Sequence, residues 1–251
     1  MLILALDTTT RSASCALARE GVVVREDAID SSRQLAVQLP DALEALLALA
    51  DAELREIDAF AVATGPGSFT GLRIGIATMQ GLAFAQEKPL IGISALTALS
   101  AMASPAFLGS RIATWIDAWR GDVYAALYED GHAAGEPVVA NPEDLLDALA
   151  PRPTILAAND ILFIGDGAET YREMILARLG HAARIADPAT PLLAGVTAVL
   201  ATIDYKNGLR PPPHAIRPLY LRRPDAELAR DNRGPEGSAP RHGEGSAPQL
   251  K

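Results

Sequence analysis

The chain has 251 residues, of which 49% are hydrophobic and 21% charged, enough for a sizeable core in one large domain or two small ones. Its 31 acidic residues outnumber its 22 basic ones, for a formal net charge of −9. That balance argues against independent binding to tRNA or other nucleic acid, which is driven by Lys and Arg neutralising phosphates. The single cysteine, Cys15, excludes an intrachain disulfide and fits a reducing compartment. The apolar run Met1–Leu6 is short for a signal peptide and lacks a basic flank. No run approaches the about 20 apolar residues of a membrane span, so the expectation is a cytoplasmic protein without a membrane partner.

Three strands open the chain as a meander: Leu2–Leu6, Ser12–Arg19 and Val22–Ile29, with Glu20-Gly21 as the second turn. Leucines at 35, 39, 43 and 46 then repeat at helical spacing, predicting a helix from Ser32 to Leu49. Pro40 should kink or interrupt it. A short apolar strand, Ala59–Ala63, runs into the glycine loop Gly65-Pro66-Gly67, and Ser68 or Thr70 is placed to cap the next helix. A strand at Leu90–Ile93 and a helix from Ser94 to Met102 complete a first unit, residues 1–103.

A second unit, residues 104–223, begins near Ser104-Pro105. Arg111–Asp117 and Asp122–Glu129 read as a hairpin around Ala118–Gly121, Asn141 caps a short helix, and Ile161–Gly165 is a strand. A helix over Ala168–Leu179 and another opened by Pro191 follow, and Leu219–Arg222 closes the ordered part. Residues 224–251 are rich in Gly, Pro, Ser and charge with little to bury, and read as a disordered tail.

Several chemistries fail on spacing. Gly65, Gly67 and Gly71 do not form a GxGxxG pattern, and no GK[ST] follows. His132, His181, His214 and His242 include no HxxxH or HExxH pair, so no metal site is expected. Ser68 is not in a GxSxG elbow and reads as a helix cap. Cys15 has no His nearby in sequence, which leaves no catalytic residue to name. Trp115 and Trp119 read as core or hinge residues. Gly71, Gly75, Thr78, Gly81 and Ala85 form a stripe of small residues along one helix face. Such a stripe serves either tight packing within the domain or docking of a partner.

The loop and helix Gly65-Pro-Gly-Ser-Phe-Thr-Gly-Leu-Arg-Ile-Gly75, with Asp7-Thr8-Thr9-Thr10, closely resemble the TsaB (YeaZ) family, strongly to about Leu99 and more loosely to about Arg223. The resemblance implies an α/β, duplicated actin-like (ribonuclease H-like) ATPase fold, two subdomains each with a mixed sheet flanked by helices. It further implies a non-catalytic subunit that pairs with TsaD in threonylcarbamoyl transfer to the adenosine beside the tRNA anticodon. TsaE joins as an ATPase in a larger complex, a homodimer is an alternative assembly, and tRNA is met only indirectly. Actin-like ATPases hold phosphates on an Asp-x-Gly-Thr turn. Here Thr9 stands where that glycine would be, and the second turn, Asp117–Gly121, lacks the expected glycine-rich phosphate loop. Gly165-Asp166-Gly167 does resemble the adenosine-side motif. The candidate nucleotide contacts are therefore Asp7, Thr8, Thr10, Gly165 and Gly167, with no cofactor expected and weak ATP or ADP binding left open. The expected docking face is Gly71, Gly75, Thr78 and Gly81 with Leu35 and Leu39 of the preceding helix. Gln34 stands where many relatives carry His. An active actin-like small-molecule kinase is the alternative function.

Overall fold

The computed structural model describes residues 1–29, 34–103, 111–149 and 161–222. The helix start expected at Ser32, the Ser104-Pro105 boundary, the residues from 224 to 251 and His242 lie outside the described residues.

Short apolar runs build the centre of the first sheet. Strands β1 (Leu2–Asp7), β2 (Ser14–Arg19) and β3 (Val22–Ala28) form an antiparallel meander. β4 (Ala59–Gly65) and β5 (Leu90–Ser94) add in parallel on the other side of β1, giving the order β3-β2-β1-β4-β5. β1 is buried along its whole length, and its period of two sends side chains to two different cores. Leu2, Leu4 and Leu6 pack with Leu39, Leu43 and Leu46 of α1 (Leu35–Leu49) and with Leu72, Ile76 and Met79 of α2 (Phe69–Ala85). Ile3 and Ala5 face the opposite way, onto Leu193, Ala198 and Ala201 at the start of and along α7 (Ala194–Lys206).

The second sheet repeats the first. β6 (Arg111–Asp117) and β7 (Val123–Glu129) form the expected hairpin, and short strands β8 (His132–Ala133) and β9 (Val138–Ala140) pair with β7. After α4 (Pro142–Leu149), β10 (Ile161–Ile164) pairs in parallel with β6, and β11 (Ala183–Ile185) with β10. Each sheet thus has its first strand at the centre, a meander on one side and parallel strands on the other. This is the duplicated actin-like arrangement.

α3 (Ala95–Ala103) and α7 share one core with residues of both sheets, including Ile91 and Ile93 of the first and Ile112, Ile116 and Leu162 of the second. Although α7 follows the second sheet in sequence, it packs across β1 to β5. Residues Met1–Leu221 form one compact unit. The outer face of the second sheet is covered by α4 and by α5 (Asp166–Thr170) and α6 (Arg172–Leu179), around Trp115, Phe163 and Ile175.

Three local expectations are modified. Pro40 sits inside α1 without ending it; its ring is exposed. The helix expected over Ala168–Leu179 begins earlier and is divided at Tyr171, whose φ of −106° and ψ of 19° leave the helical region. The helix expected from Pro191 starts at Ala194. Its first amides are capped from the first sheet, Ala194 N by Ser14 Oγ at 3.1 Å and Gly195 N by Glu26 Oε1 at 2.7 Å.

Candidate functional site

The carboxyl ends of the parallel strands are where open α/β sheets place their sites. Four loops lie at those ends here: Thr8–Ser12 after β1, Pro66–Ser68 after β4, Ala118–Gly121 after β6 and Gly165 to Gly167 after β10.

The loop after β1 is filled by its own chain. Asp7 is fully buried, and its Oδ1 accepts the Thr9 amide at 2.9 Å and the Thr9 hydroxyl at 2.6 Å. The other oxygen, Oδ2, is buried without a hydrogen-bond partner. Burial pushes the carboxyl up to about 6, and the two Thr9 bonds only partly oppose it. Thr8 Oγ1 donates to Gly71 O at 2.8 Å, and Ser68 N donates to Thr9 O at 2.8 Å. The loop after β4 is thereby fastened over the turn. Gly67, at φ +157°, lies so close that a Cβ there would be 2.2 Å from Thr9 O. Gly67 thus packs directly against the Thr9 backbone, two positions from the buried Asp7.

The second turn is also committed to internal bonds. Asp117 Oδ1 accepts Trp119 N at 2.8 Å, and its Oδ2 receives Arg11 at 2.8 Å. Trp119 and Arg120 both take left-handed backbone angles, φ 54° and 58°. Asp166 Oδ1 accepts Asp117 N at 2.9 Å, and burial raises the Asp166 carboxyl above its usual value. Gly165 and Gly167 serve the approach of β6: a Cβ on Gly165 would be 2.0 Å from Trp115 O, and one on Gly167 about 3.0 Å from Trp115 and Ile116 backbone.

Among the described residues, two clefts lie beside these turns. The larger, about 590 Å³, is lined by Thr8, Thr10, Arg11, Gln34, Leu35 and Trp119 among others. The smaller, about 240 Å³, is lined by Thr10, Arg11, Gly165, Asp166, Glu169 and Thr190 among others. Thr8, Thr10 and Gly165 of the sequence-derived set therefore border open space. Asp7 lines neither cleft and Gly167 is buried. Trp115 is in the core, edge-on to Phe163, whereas Trp119 is half exposed at the larger cleft rather than in the core. Sequence reasoning missed Arg11, whose partner Asp117 lies 106 positions away; no local pattern marks such a pair.

The small-residue stripe divides into two parts. Gly71 and Gly75 are buried, and added Cβ atoms would sit 2.2 Å from Thr8 O and Thr8 Oγ1. Leu39 is fully buried in the core. The smallness of Gly71 and Gly75 and the apolarity of Leu39 are thus used inside the chain, although Gly71 also borders the larger cleft. Thr78 and Leu35 are partly exposed, and Gly81 is exposed with nothing within 4 Å of its Cβ position. Ser68 Oγ accepts Gly71 N at 3.2 Å as the expected cap. Cys15 is buried, and desolvation pushes its thiol up to about 12, leaving it unreactive.

A family model described as TsaD, tRNA N6-adenosine threonylcarbamoyltransferase, matches residues 8–232. The protein named TsaB of Bacillus subtilis (strain 168) is 32% identical over 182 residues, 72% of this chain and 77% of that one. The chain belongs to the TsaB family. The TsaB of Escherichia coli (strain K12) is 37% identical over 148 residues, 57% of this chain, and the match spans 64% of that relative's length. The crystal structure of YeaZ from Pseudomonas aeruginosa superposes with a TM-score of 0.70 at 31% identity, covering 88% of this chain and 99% of the other. Component A of (R)-2-hydroxyglutaryl-CoA dehydratase from Acidaminococcus fermentans, at 11% identity and a TM-score of 0.54, shares the fold. The string Gly65–Gly75 that carried the family resemblance is, in this member, the segment locked onto the β1 turn.

Proposed function

We propose that this chain acts in the biosynthesis of threonylcarbamoyladenosine in tRNA, the role named for its TsaB relatives, as a non-catalytic subunit paired with a TsaD-class transferase. The observation that supports the non-catalytic reading is the β1 turn, where Asp7 is fully buried and accepts two bonds from Thr9 of its own chain. Asp117, the equivalent carboxylate of the second sheet, has both oxygens engaged by Trp119 and Arg11. Both aspartates are engaged by groups of their own chain. The subunit contributes surface, and TsaE joins the pair in a larger assembly.

The docking face in this reading is the outward side of α1 and α2. Leu35 and Thr78 are partly exposed there, Gly81 is bare, and Val37 and Phe84 are 68% and 79% exposed. Large apolar side chains this accessible on adjacent helices fit a surface that a partner covers. Size-exclusion chromatography with light scattering, on the chain alone and mixed with the TsaD-class subunit from the same source, tests the pairing. A 1:1 complex is expected, lost in Phe84→Glu and kept in a control such as Leu209→Glu. Failure to associate, together with ATP turnover by this chain alone, would establish the small-molecule kinase instead.

A further inference from the structure

The acidic balance of the chain has one local reversal. From Tyr205 to Pro224 there is no Asp or Glu, while Lys206, Arg210, Arg217, Arg222 and Arg223 all fall in that stretch. Up to residue 221 this segment is a strap laid over the first sheet and α2. Leu90 N donates to Pro211 O at 3.3 Å, and Leu219 N donates to Thr64 O at 2.7 Å. Between those points Gln80 Nε2 of α2 donates to Pro213 O at 3.0 Å and to Ile216 O at 3.1 Å. The strap then reaches the first turn of α2, where Arg73 Nε donates to Tyr220 Oη at 3.1 Å.

Three guanidinium groups along this strip are exposed and carry no carboxylate partner among the described residues: Arg73, Arg210 and Arg217. They are positioned by rings and carbonyls instead. Arg73 lies 3.9 Å over the Phe69 ring, which is itself 5.3 Å from the Tyr220 ring. Arg210 lies 3.1 Å over Tyr205 and donates to Leu209 O at 2.9 Å. Arg217 donates to His214 O at 2.6 Å. Phe69 and Tyr220 are 38% and 37% exposed. Carboxylates outnumber cations in this chain, so guanidinium groups held in place without them keep their full charge for something external.

We propose that this strip, Arg73, Arg210 and Arg217 with the rings of Phe69 and Tyr220, binds a single-stranded RNA segment. Planar guanidinium groups match phosphate oxygens, and half-exposed aromatic rings take bases by stacking; together these are the two elements of single-strand recognition. The assignment rests on the tRNA-linked function proposed above, and it qualifies the expectation of purely indirect contact with tRNA. The acidic remainder of the chain keeps this binding weak and dependent on salt.

The test is fluorescence anisotropy of labelled oligouridine titrated with the full chain, read between about 50 and 200 mM salt. Saturable binding is expected, with log K falling as log salt rises. The triple variant R73Q/R210Q/R217Q should bind at least about tenfold more weakly, and its salt slope should shrink by about 2, because three phosphates are no longer neutralised. R55Q/R178Q, which removes ion-paired arginines elsewhere, should match the unaltered chain. R217Q alone tests the same point should the triple variant fold poorly, since Arg217 bonds only carbonyls and its loss should shrink the slope by about 0.7. No saturable binding at the lower salt, or equal loss in the R55Q/R178Q control, would overturn the proposal. So would oligoglutamate competing as well as unlabelled RNA, which would mark an acidic protein as the occupant. RNA binding without formation of a TsaD-class complex would leave the strip standing and remove the function proposed above; a complex that forms without any RNA binding would do the reverse.

Discussion

Asp7, a candidate nucleotide contact in the sequence, is bonded within its own turn in the structure. Its carboxyl is fully buried with one oxygen unpartnered, and burial lifts it to about 6. The folded value lies above the unfolded one near 4, so the folded chain holds this proton more tightly. The associated stability is present below about pH 4 and is lost as pH rises through about 6. Asp7→Asn removes the buried charge while keeping an acceptor for Thr9. It is expected to stabilise the chain at pH 7–8 by on the order of 2 kcal/mol, with the gap closing by about pH 4; paired thermal melts across that range check both the sign and the window. The glycines of α2 make a second residue-scale contrast. Gly71→Ala drives a Cβ against Thr8 O and should cost about 1–3 kcal/mol. Gly81→Ala meets open space and should add about 0.5–1 kcal/mol through helix propensity. Urea unfolding of the two variants side by side separates a glycine required by packing from one that packing does not need.

At the scale of elements, the strands and helices of the first 100 residues were largely legible, because each carries a local signal: short apolar runs in β1 and β4, and leucines at three- and four-residue steps in α1. The Ser68 cap was legible for the same local reason. β9 and β11 are three residues each and carry no period to read. α7 was visible as a helix, but its place was not, since its first amides are satisfied by Ser14 and Glu26 from strands about 170–180 positions earlier. Gly195 N can donate to that carboxylate because position 195 carries no side chain: a Cβ there would lie 2.6 Å from Glu26 Oε2. Glu26→Ala removes both an acceptor and a negative charge from the positive end of α7, and should cost about 1–2 kcal/mol. Glu26→Gln keeps the acceptor and should cost less, and urea midpoints of the two variants rank them.

Over the whole molecule, α3 and α7 tie the two sheets into one core, with Ile3 and Ala5 of the first and Ile112 and Leu162 of the second in a single apolar cluster. Residues 1–103 therefore lack the helix that covers one face of their own sheet. Expressed alone, that fragment should show no cooperative thermal transition by circular dichroism, whereas the full chain should show a single one by calorimetry. Arg11 and Asp117 add a polar link between the sheets at the cleft. Arg11 is 64% exposed, so its loss should change stability little and act instead on the shape of the two clefts it lines.

The sequence by itself determined the apolar strands, the main helices, the family-specific string Gly65–Gly75 and the missing glycine at Thr9, because each is written in neighbouring residues or in a fixed period. Only the tertiary structure decided that Gly71 and Gly75 pack against Thr8, that Asp7 is fully buried, that α7 packs on the first sheet, and that a basic strap crosses α2. Those outcomes depend on which surfaces meet after the chain has folded back over more than 50 residues, and a one-dimensional period carries no information about such meetings.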